Sequence, residues 1–421
     1  MIDNVIAFIT QTYGPVIGTS IQLILNTSFI WIPLILIGIF WNVWIQYIHR
    51  HFLYSQETVL LEIKLPREVT KTPYAMERVL TAMFQKGGPK HLFEAFWKGV
   101  VSPWFSLEIV SLGGNVHMFI WTEKKFRNLI EAQLYSQYPG IEVYETEYDY
   151  AKAVTSDPNE FEMWGGQFKL TESHAYPIQT YVDLGMDKPG QKEEEKDDPL
   201  STILEIFGSI QKHEQIWMQI LIEANKKENF LFGRLKTKSD WKEDVKKEIE
   251  NVRSSIKVTS KDPNGNPITE NKPLTEAEGQ TIKAMQRTLD KFPFNTCIRA
   301  GYIAEKGYFD PSNISGLIST LRQVSSNNRN GFSVSWTTNF DYPWQDFLDT
   351  RKKGNERIFL DAYRRRSYFH EPYKHFKQQP YVLTTEELAT LFHIPGTVAS
   401  TPMLQRVMSQ KAEAPTNLPS E

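Results

Sequence analysis

The hydrophobic pattern separates one stretch of the chain from everything after it. Ser28 to Tyr47 (SFIWIPLILIGIFWNVWIQY) contains no Asp, Glu, Lys or Arg, over the length of about 20 residues that a helix needs to span a bilayer core. Trp31, Trp41, Trp44 and Tyr47 lie towards its ends, where amphipathic rings favour the headgroup level. Pro33 stands near the start, where a spanning helix tolerates it. The stretch reads as a transmembrane anchor. Residues 4–27 are also uncharged but are interrupted by Thr10, Gln11, Thr12, Gly14, Pro15 and Gln22. They read either as a membrane-lying helix or as a first span.

After the anchor the period changes to that of soluble α+β structure. Val59, Leu61, Ile63 and Leu65 alternate with Leu60, Glu62 and Lys64, the period of a half-buried strand. Thr72-Pro73 marks a helix start, and Met76, Val79, Leu80 and Met83 follow at helical spacing. An aromatic segment (HLFEAFWKGVVSPW) leads to Phe105, Leu107 and Ile109, again alternating. Gly113-Gly114-Asn115 is a tight-turn signal, with Val116, Met118 and Ile120 on the return strand. Thr122 is placed to cap a helix with Phe126, Leu129, Ile130 and Leu134 inward, and Ile141 to Thr146 forms a last strand. This β-α-β-β-α-β order is the ferredoxin-like, split βαβ plan.

The same order recurs, stretched, between about 160 and 340. Strands are expected at Phe168–Leu170, Thr180–Leu184, Ile216–Ile222, Thr296–Ile303 and Phe332–Trp336. Helices are expected after Asp198-Pro199, a cap with proline at the first helical position, and after Asp310-Pro311. The charged run Gln191 to Asp198 is a loop. Trp241, Val245, Ile249, Val252 and Ile256, then Ile282, Met285 and Leu289, flank the turn-rich DPNGNP (Asp262–Pro267). Residues 226–292 therefore read as an inserted helical hairpin. The expected plan is an anchor (1–56, main span 28–48), a ferredoxin-like unit (57–155), a second unit (156–340) carrying the insertion, and a basic helical segment with a C-terminal linker (341–421).

Charge orients the anchor and narrows the function. His49, Arg50, His51, Lys64, Arg67 and Lys71 follow it, whereas no Lys or Arg precedes it, so the bulk of the chain is expected on the cytoplasmic side. The N-terminus also lacks the basic region and small-residue cleavage site of a signal peptide. The net charge of −3 over 421 residues excludes a whole-molecule attraction to nucleic acid. The single cysteine, Cys297, excludes an intramolecular disulfide framework and reads as an inert buried thiol. No G-x-x-x-x-G-K-[ST], H-E-x-x-H, Cys/His cluster or G-x-S-x-G occurs. Gly87-Gly88-Pro89-Lys90 is only a loop, and His370 and His375 are spaced too far apart for one helix face. The chain reads as a non-enzyme without cofactor or metal.

One segment stands out for charge. Arg351 to Lys377 interleaves Arg364, Arg365, Arg366, Lys374 and Lys377 with Tyr363, Tyr368, Phe369, Tyr373 and Phe376. Cations neutralise phosphates and rings stack on bases, so these residues are the candidates for a nucleic-acid, lipid or protein contact. An ordinary solvated surface is the competing reading. Beyond them, Thr384 to Glu387 forms a capping box ahead of a short helix burying Leu388, Leu391 and Phe392.

Several stretches resemble one family together: Trp104 to Tyr144, Tyr176 to Tyr181, Asp198 to Glu223 and Thr385 to Gly396 (TEELATLFHIPG). The family comprises large membrane proteins of candidate-phylum bacteria associated with type IV secretion, the coupling proteins of conjugative DNA transfer. In its full-length members a segment similar to Lys411–Pro419 leads into a RecA-like ATPase. The resemblance implies a platform subunit at the bacterial inner membrane, working with a separately encoded hexameric ATPase. It places Thr384 to Pro419, with Leu388, Leu391 and Phe392, on the approach to that ATPase. It also leaves room for a homo-oligomer and for DNA as a partner. A membrane scaffold of the envelope or of a pilus apparatus, and a membrane-tethered nucleic-acid-binding protein, are the alternatives.

Overall fold

The computed structural model describes residues 22–23, 25–65, 71–155, 157, 159–188, 198–226, 228–231, 234–237, 240–255, 257–261, 267–271, 275–340 and 342–396. The expectations for residues 4–21, the loop 191–197, Ile256, most of the DPNGNP turn and the tail after 396 lie outside these residues. The chain divides into two compact units, Met1–Ser55 with Lys90–Val100, and Gln56–Pro89 with Val101–Glu421.

In the first unit, α1 (Ser28–Ser55) is long and apolar enough to cross a membrane, and none of its apolar window is buried against protein. The unit also contains the aromatic segment after Pro89. The Trp44 indole N–H donates to the Phe96 carbonyl (2.9 Å), and Trp41 packs on the rings of Phe96 and Trp97. Gly99 lies in the left-handed region (φ +66), where a Cβ would collide with the Ile48 carbonyl.

The second unit is built on a single antiparallel sheet. Its strands are β1 (Thr58–Lys64), β2 (Trp104–Leu112), β3 (Asn115–Glu123), β4 (Glu142–Glu145), β5 (Phe161–Leu170), β6 (Glu214–Ala224), β11 (Pro293–Glu305), β12 (Phe332–Thr337) and β13 (Tyr381–Thr384). The order is β12-β5-β11-β6-β2-β3-β1-β4, with β13 paired to β11. Labels β7 (Glu228–Leu231), β8 (Arg234–Thr237), β9 (Lys257–Lys261) and β10 (Pro267–Asn271) belong to two separate two-stranded ribbons. β2 pairs along its length with β6, from Trp104↔Glu223 to Leu112↔Gln215. The sheet therefore runs without a break across residue 156, where the sequence pattern places a domain boundary.

Strand alternation gives the sheet two buried faces. On the first, Phe105, Leu107, Ile109, Ile216, Met218, Ile220, Phe294 and Ile298 join one apolar core. Helices Tyr74–Ala82, Arg127–Gln137, Pro199–Gly208, Ser312–Thr320 and Thr385–Leu391 contribute Met76, Val79, Leu134, Ile203, Phe207, Leu317 and Leu388 to it. Local signals act as expected at several points. Gly113 and Gly114 both have positive φ (59° and 87°) in a two-residue hairpin turn between Leu112 and Asn115. Asp198 accepts from the Leu200 N–H (2.9 Å) and caps its helix; Asp310 accepts from the Ser312 N–H (2.9 Å) one residue ahead of the cap position, Pro311.

Three expectations are corrected. Thr122 is buried inside β3, and the next helix starts through a 3₁₀ turn, Lys124–Phe126, so it caps nothing. Thr180–Leu184 forms turns rather than a strand, because Asp183 accepts from the Thr180 N–H (3.0 Å) and closes the chain on itself. Helices Trp241–Ser255 and Glu276–Thr288 do pack together through Trp241, Val245, Ile249, Ile282 and Met285. Their connection, however, carries the ribbon β9–β10 rather than a bare turn.

The second face is covered by the helix Thr350–Arg364, whose Phe359 sits over paired glycines of adjacent strands. Gly165 and Gly301 are register partners, and a Cβ on Gly165 would stand 2.6 Å from the Phe359 ring. Gly165→Ala is expected to destabilise the fold by about 1–3 kcal/mol through overpacking. Combining it with Phe359→Leu should give less than the sum of the two losses, because the sites touch; urea denaturation in detergent measures both.

Candidate functional site

The second sheet face carries a cluster of buried polar and charged side chains from its central strands. β2 directs Ser106 and Glu108 to it, β6 directs Gln219, and β11 directs Cys297 and Arg299; every one is buried. Glu108 has zero exposure, and it accepts from the Arg366 guanidinium at Nε (3.0 Å) and Nη2 (3.1 Å). This is the bidentate geometry that makes Arg–carboxylate pairs strong. Ser106 Oγ (2.6 Å), Tyr150 OH (2.8 Å) and Gln219 Nε2 (2.7 Å) complete its donors. Arg366 also reaches Asp149 (2.6 and 3.1 Å). Arg299 donates to Gln219 Oε1 (2.6 Å) and to the carbonyls of Ala362 (2.8 Å) and Ser367 (3.2 Å).

The backbone is bent to make this possible. Arg366 has φ 49, at the position after a helix end that usually takes glycine. Its N–H bonds the Tyr363 carbonyl (3.0 Å) and the Ser367 N–H bonds that of Ala362 (3.1 Å), the paired bonds of a Schellman cap. A side chain here costs about 1 kcal/mol of left-handed strain, offset by the ion pairs only a guanidinium can make at that spot.

Electrostatically the cluster holds charge in place. Burial opposes ionisation of Arg366, but Glu108 and Asp149 outweigh it and hold the guanidinium firmly protonated. Burial, with Glu108 adding to it, pushes Tyr150 well above the usual phenol range. A carboxylate saturated with donors beside phenols locked neutral offers neither a base nor a nucleophile. Cys297 is buried and pushed up to about 12 by desolvation, which leaves it an inert thiol. Among the described residues no group of His, Cys, Asp and Glu is placed to hold a metal ion.

The candidate residues of the basic segment are dispersed by the fold. Arg366 is internal. Arg364 donates to the Ala151 carbonyl (2.8 Å) and to that of Val154. Arg365 is exposed and pairs with Asp361 (2.9 Å) one turn back. Lys374 and Lys377 are exposed, Lys377 lying over the Trp336 ring (5.4 Å). Tyr363, Tyr368 and Phe369 are core residues, so they present no stacking platform. The five cations therefore do not form one contact surface, because Arg366 is tied to Glu108 of β2 and Arg364 to the carbonyls of Ala151 and Val154.

Leu388, Leu391 and Phe392 have zero exposure and fill the first core. They are not a docking surface, since the helix Thr385–Leu391 is buried along its whole length. The capping box at its start is present: the Thr384 N–H and hydroxyl both donate to Glu387 (2.8 Å). Beside it, Glu386 pairs with Arg287 (2.8 Å), which also holds Asp183 (2.9 Å). Glu77 pairs with Lys291 (2.6 Å). Sequence reasoning missed Glu77, Glu108, Asp149, Arg287 and Arg299; Glu108 and Arg299 are single charges inside apolar strands, and the other three look like ordinary surface charges until their distant partners are known.

Residues 53–406 match the family described as "Domain of unknown function (DUF8128)". The chain belongs to that family. Nothing among the curated proteins matches it. A solved chitooligosaccharide oxidase aligns with 77% of this chain at 9% identity and a TM-score of 0.26. The chain spans about half of that protein, 54%, and a likeness so distant carries no argument about activity. The matched span starts near the end of α1 and contains both ionic networks.

Two predictions follow the two networks. Arg366→Met is expected to cost about 3–5 kcal/mol, because it strands Glu108 without its cation. Arg365→Ala should stay within about 0.5 kcal/mol, as an exposed helix pair does; urea denaturation distinguishes them. Burial raises Glu387 to about 7 from its ordinary 4.5. The folded chain thus holds a proton that the unfolded chain has released, so this residue makes stability fall as pH rises from about 4.5 through 7. Glu387→Gln, which cannot titrate, is expected to flatten that limb of the denaturation midpoint against pH.

Proposed function

We propose that this chain is a membrane-anchored, non-catalytic platform of a type IV secretion or conjugation-like machine, serving a separately encoded RecA-like ATPase. The observation that carries the anchoring is α1, an apolar helix of membrane-spanning length with none of its apolar window buried. The resemblance set out from the sequence supplies the machine and its ATPase. The tandem ferredoxin-like reading is supported by strand order, since β4-β1-β3-β2 and β12-β5-β11-β6 follow the same sequence of positions. A platform reading also accords with ionisable groups that are engaged in holding segments together rather than gathered around a reacting atom.

ATPase docking on this reading uses exposed surface, not Leu388, Leu391 or Phe392. An envelope or pilus-apparatus scaffold needs the same anchor and no ATPase. The nucleic-acid alternative narrows to Arg365, Lys374 and Lys377, the basic-segment candidates with exposed side chains.

The test is fractionation of the full chain in a bacterial host, followed by intact mass and co-expression with any RecA-like ATPase encoded beside it. Retention in membranes through alkaline carbonate, with α1 still attached, is expected, together with co-purification of the ATPase. A mature chain lacking α1 would mean a signal sequence and overturn the anchor. An anchored chain that never captures the ATPase would leave the scaffold.

A further inference from the structure

The first unit contains a second apolar element besides α1. The helix Leu92–Phe96 and the residues after it expose Leu92 (49%), Phe93 (55%) and Trp97 (57%), an unusual concentration for a water-facing surface. Lys98 lies over the Phe93 ring (5.9 Å), and Lys90 opens the segment.

Its position along α1 is set by three contacts. Trp41 packs on Phe96 and Trp97, Trp44 donates to the Phe96 carbonyl, and Gly99 abuts Ile48. Trp41 to Ile48 is about 10 Å of helix axis and closes the uncharged stretch. If α1 spans a bilayer, that interval is where hydrocarbon gives way to headgroups.

The segment also meets the condition lipid imposes on backbone. The N–H groups of Ala95, Trp97, Lys98 and Val100 bond the carbonyls of His91, Phe93, Phe93 and Glu94. The Glu94 N–H bonds the His91 ring (3.3 Å), and the Lys90 N–H bonds the Glu94 carboxylate (2.9 Å). Polar backbone tied up internally, apolar side chains outward and flanking lysines are what an interfacial element needs.

We infer that residues 90–100 are a membrane-interface element, inserting Leu92, Phe93 and Trp97 at the acyl–headgroup boundary of the leaflet that α1 leaves at Tyr47. The occupant of this apolar surface is lipid. The inference rests on the anchor reading, and its geometry makes Gly99 the residue that holds the element at depth.

The test uses the full chain in liposomes of phosphatidylethanolamine and phosphatidylglycerol. Cys297 is buried and does not compete for a thiol dye, so an environment-sensitive fluorophore can be placed on Phe93→Cys or Trp97→Cys. A blue-shifted emission is expected, quenched by lipids spin-labelled near the headgroup and quenched several-fold less by iodide than the free dye. Flotation with the vesicles reports the anchor separately. A chain that floats while its dye is quenched by iodide like the free dye would overturn the interface element and leave the anchor standing. A chain that does not float overturns both. Adding Gly99→Val, which forces the segment off Ile48, is expected to move the dye towards water without loss of flotation. An unchanged dye would overturn the role given to Gly99.

Discussion

Glu108 is a carboxylate with no access to water, and such a group persists only if cations and donors surround it. Meeting that demand organises the second half of the fold. The cation comes from residue 366, more than two hundred positions away, and delivering it requires a helix laid across the sheet and a left-handed residue at its end. The same segment supplies Ala362 and Ser367 carbonyls to Arg299 and the Phe359 ring to the Gly165–Gly301 pair. Removal of the pair would leave the covering segment with its carbonyl contacts to Arg299 and those of Arg364 to Ala151 and Val154.

The two faces of the sheet thus do different work. The first is mostly a hydrophobic core, non-directional and tolerant of volume-conserving exchange, with ion pairs such as Glu77–Lys291 and Glu386–Arg287 at its margin. The second is a directional network centred on Glu108, Arg366 and Arg299, and directional contacts specify one arrangement where apolar ones permit several. Because β2 pairs with β6, one antiparallel sheet carries both faces across residues 58–337.

Much of this architecture was legible along the chain. The long apolar helix, the alternation in β1, β2, β3, β6 and β12, the Gly113-Gly114 turn and the Asp198 and Thr384 caps all depend on neighbours within a few residues. Their physics is local, so the pattern records it. The basic–aromatic segment was legible as unusual but not as core. Its tyrosines and arginines carry the same composition whether they face water or a buried carboxylate. Leu388, Leu391 and Phe392 were read correctly as an apolar helix face. Their partner was not legible, because the surface they cover comes from residues 74–82 and 199–208.

By itself, then, the sequence determined the apolar span, the element types and most of the helix caps, since each follows from backbone geometry and side-chain period at short range. Only the tertiary structure decided that two sheet halves fuse edge to edge, that Arg366 is internal while Arg365 is solvent-exposed, and that Trp41 and Trp44 hold the segment after Pro89. These outcomes depend on which distant groups desolvate one another. Adjacent arginines meet opposite fates because one lies at a left-handed turn beneath a carboxylate and the other stays on the open side of its helix.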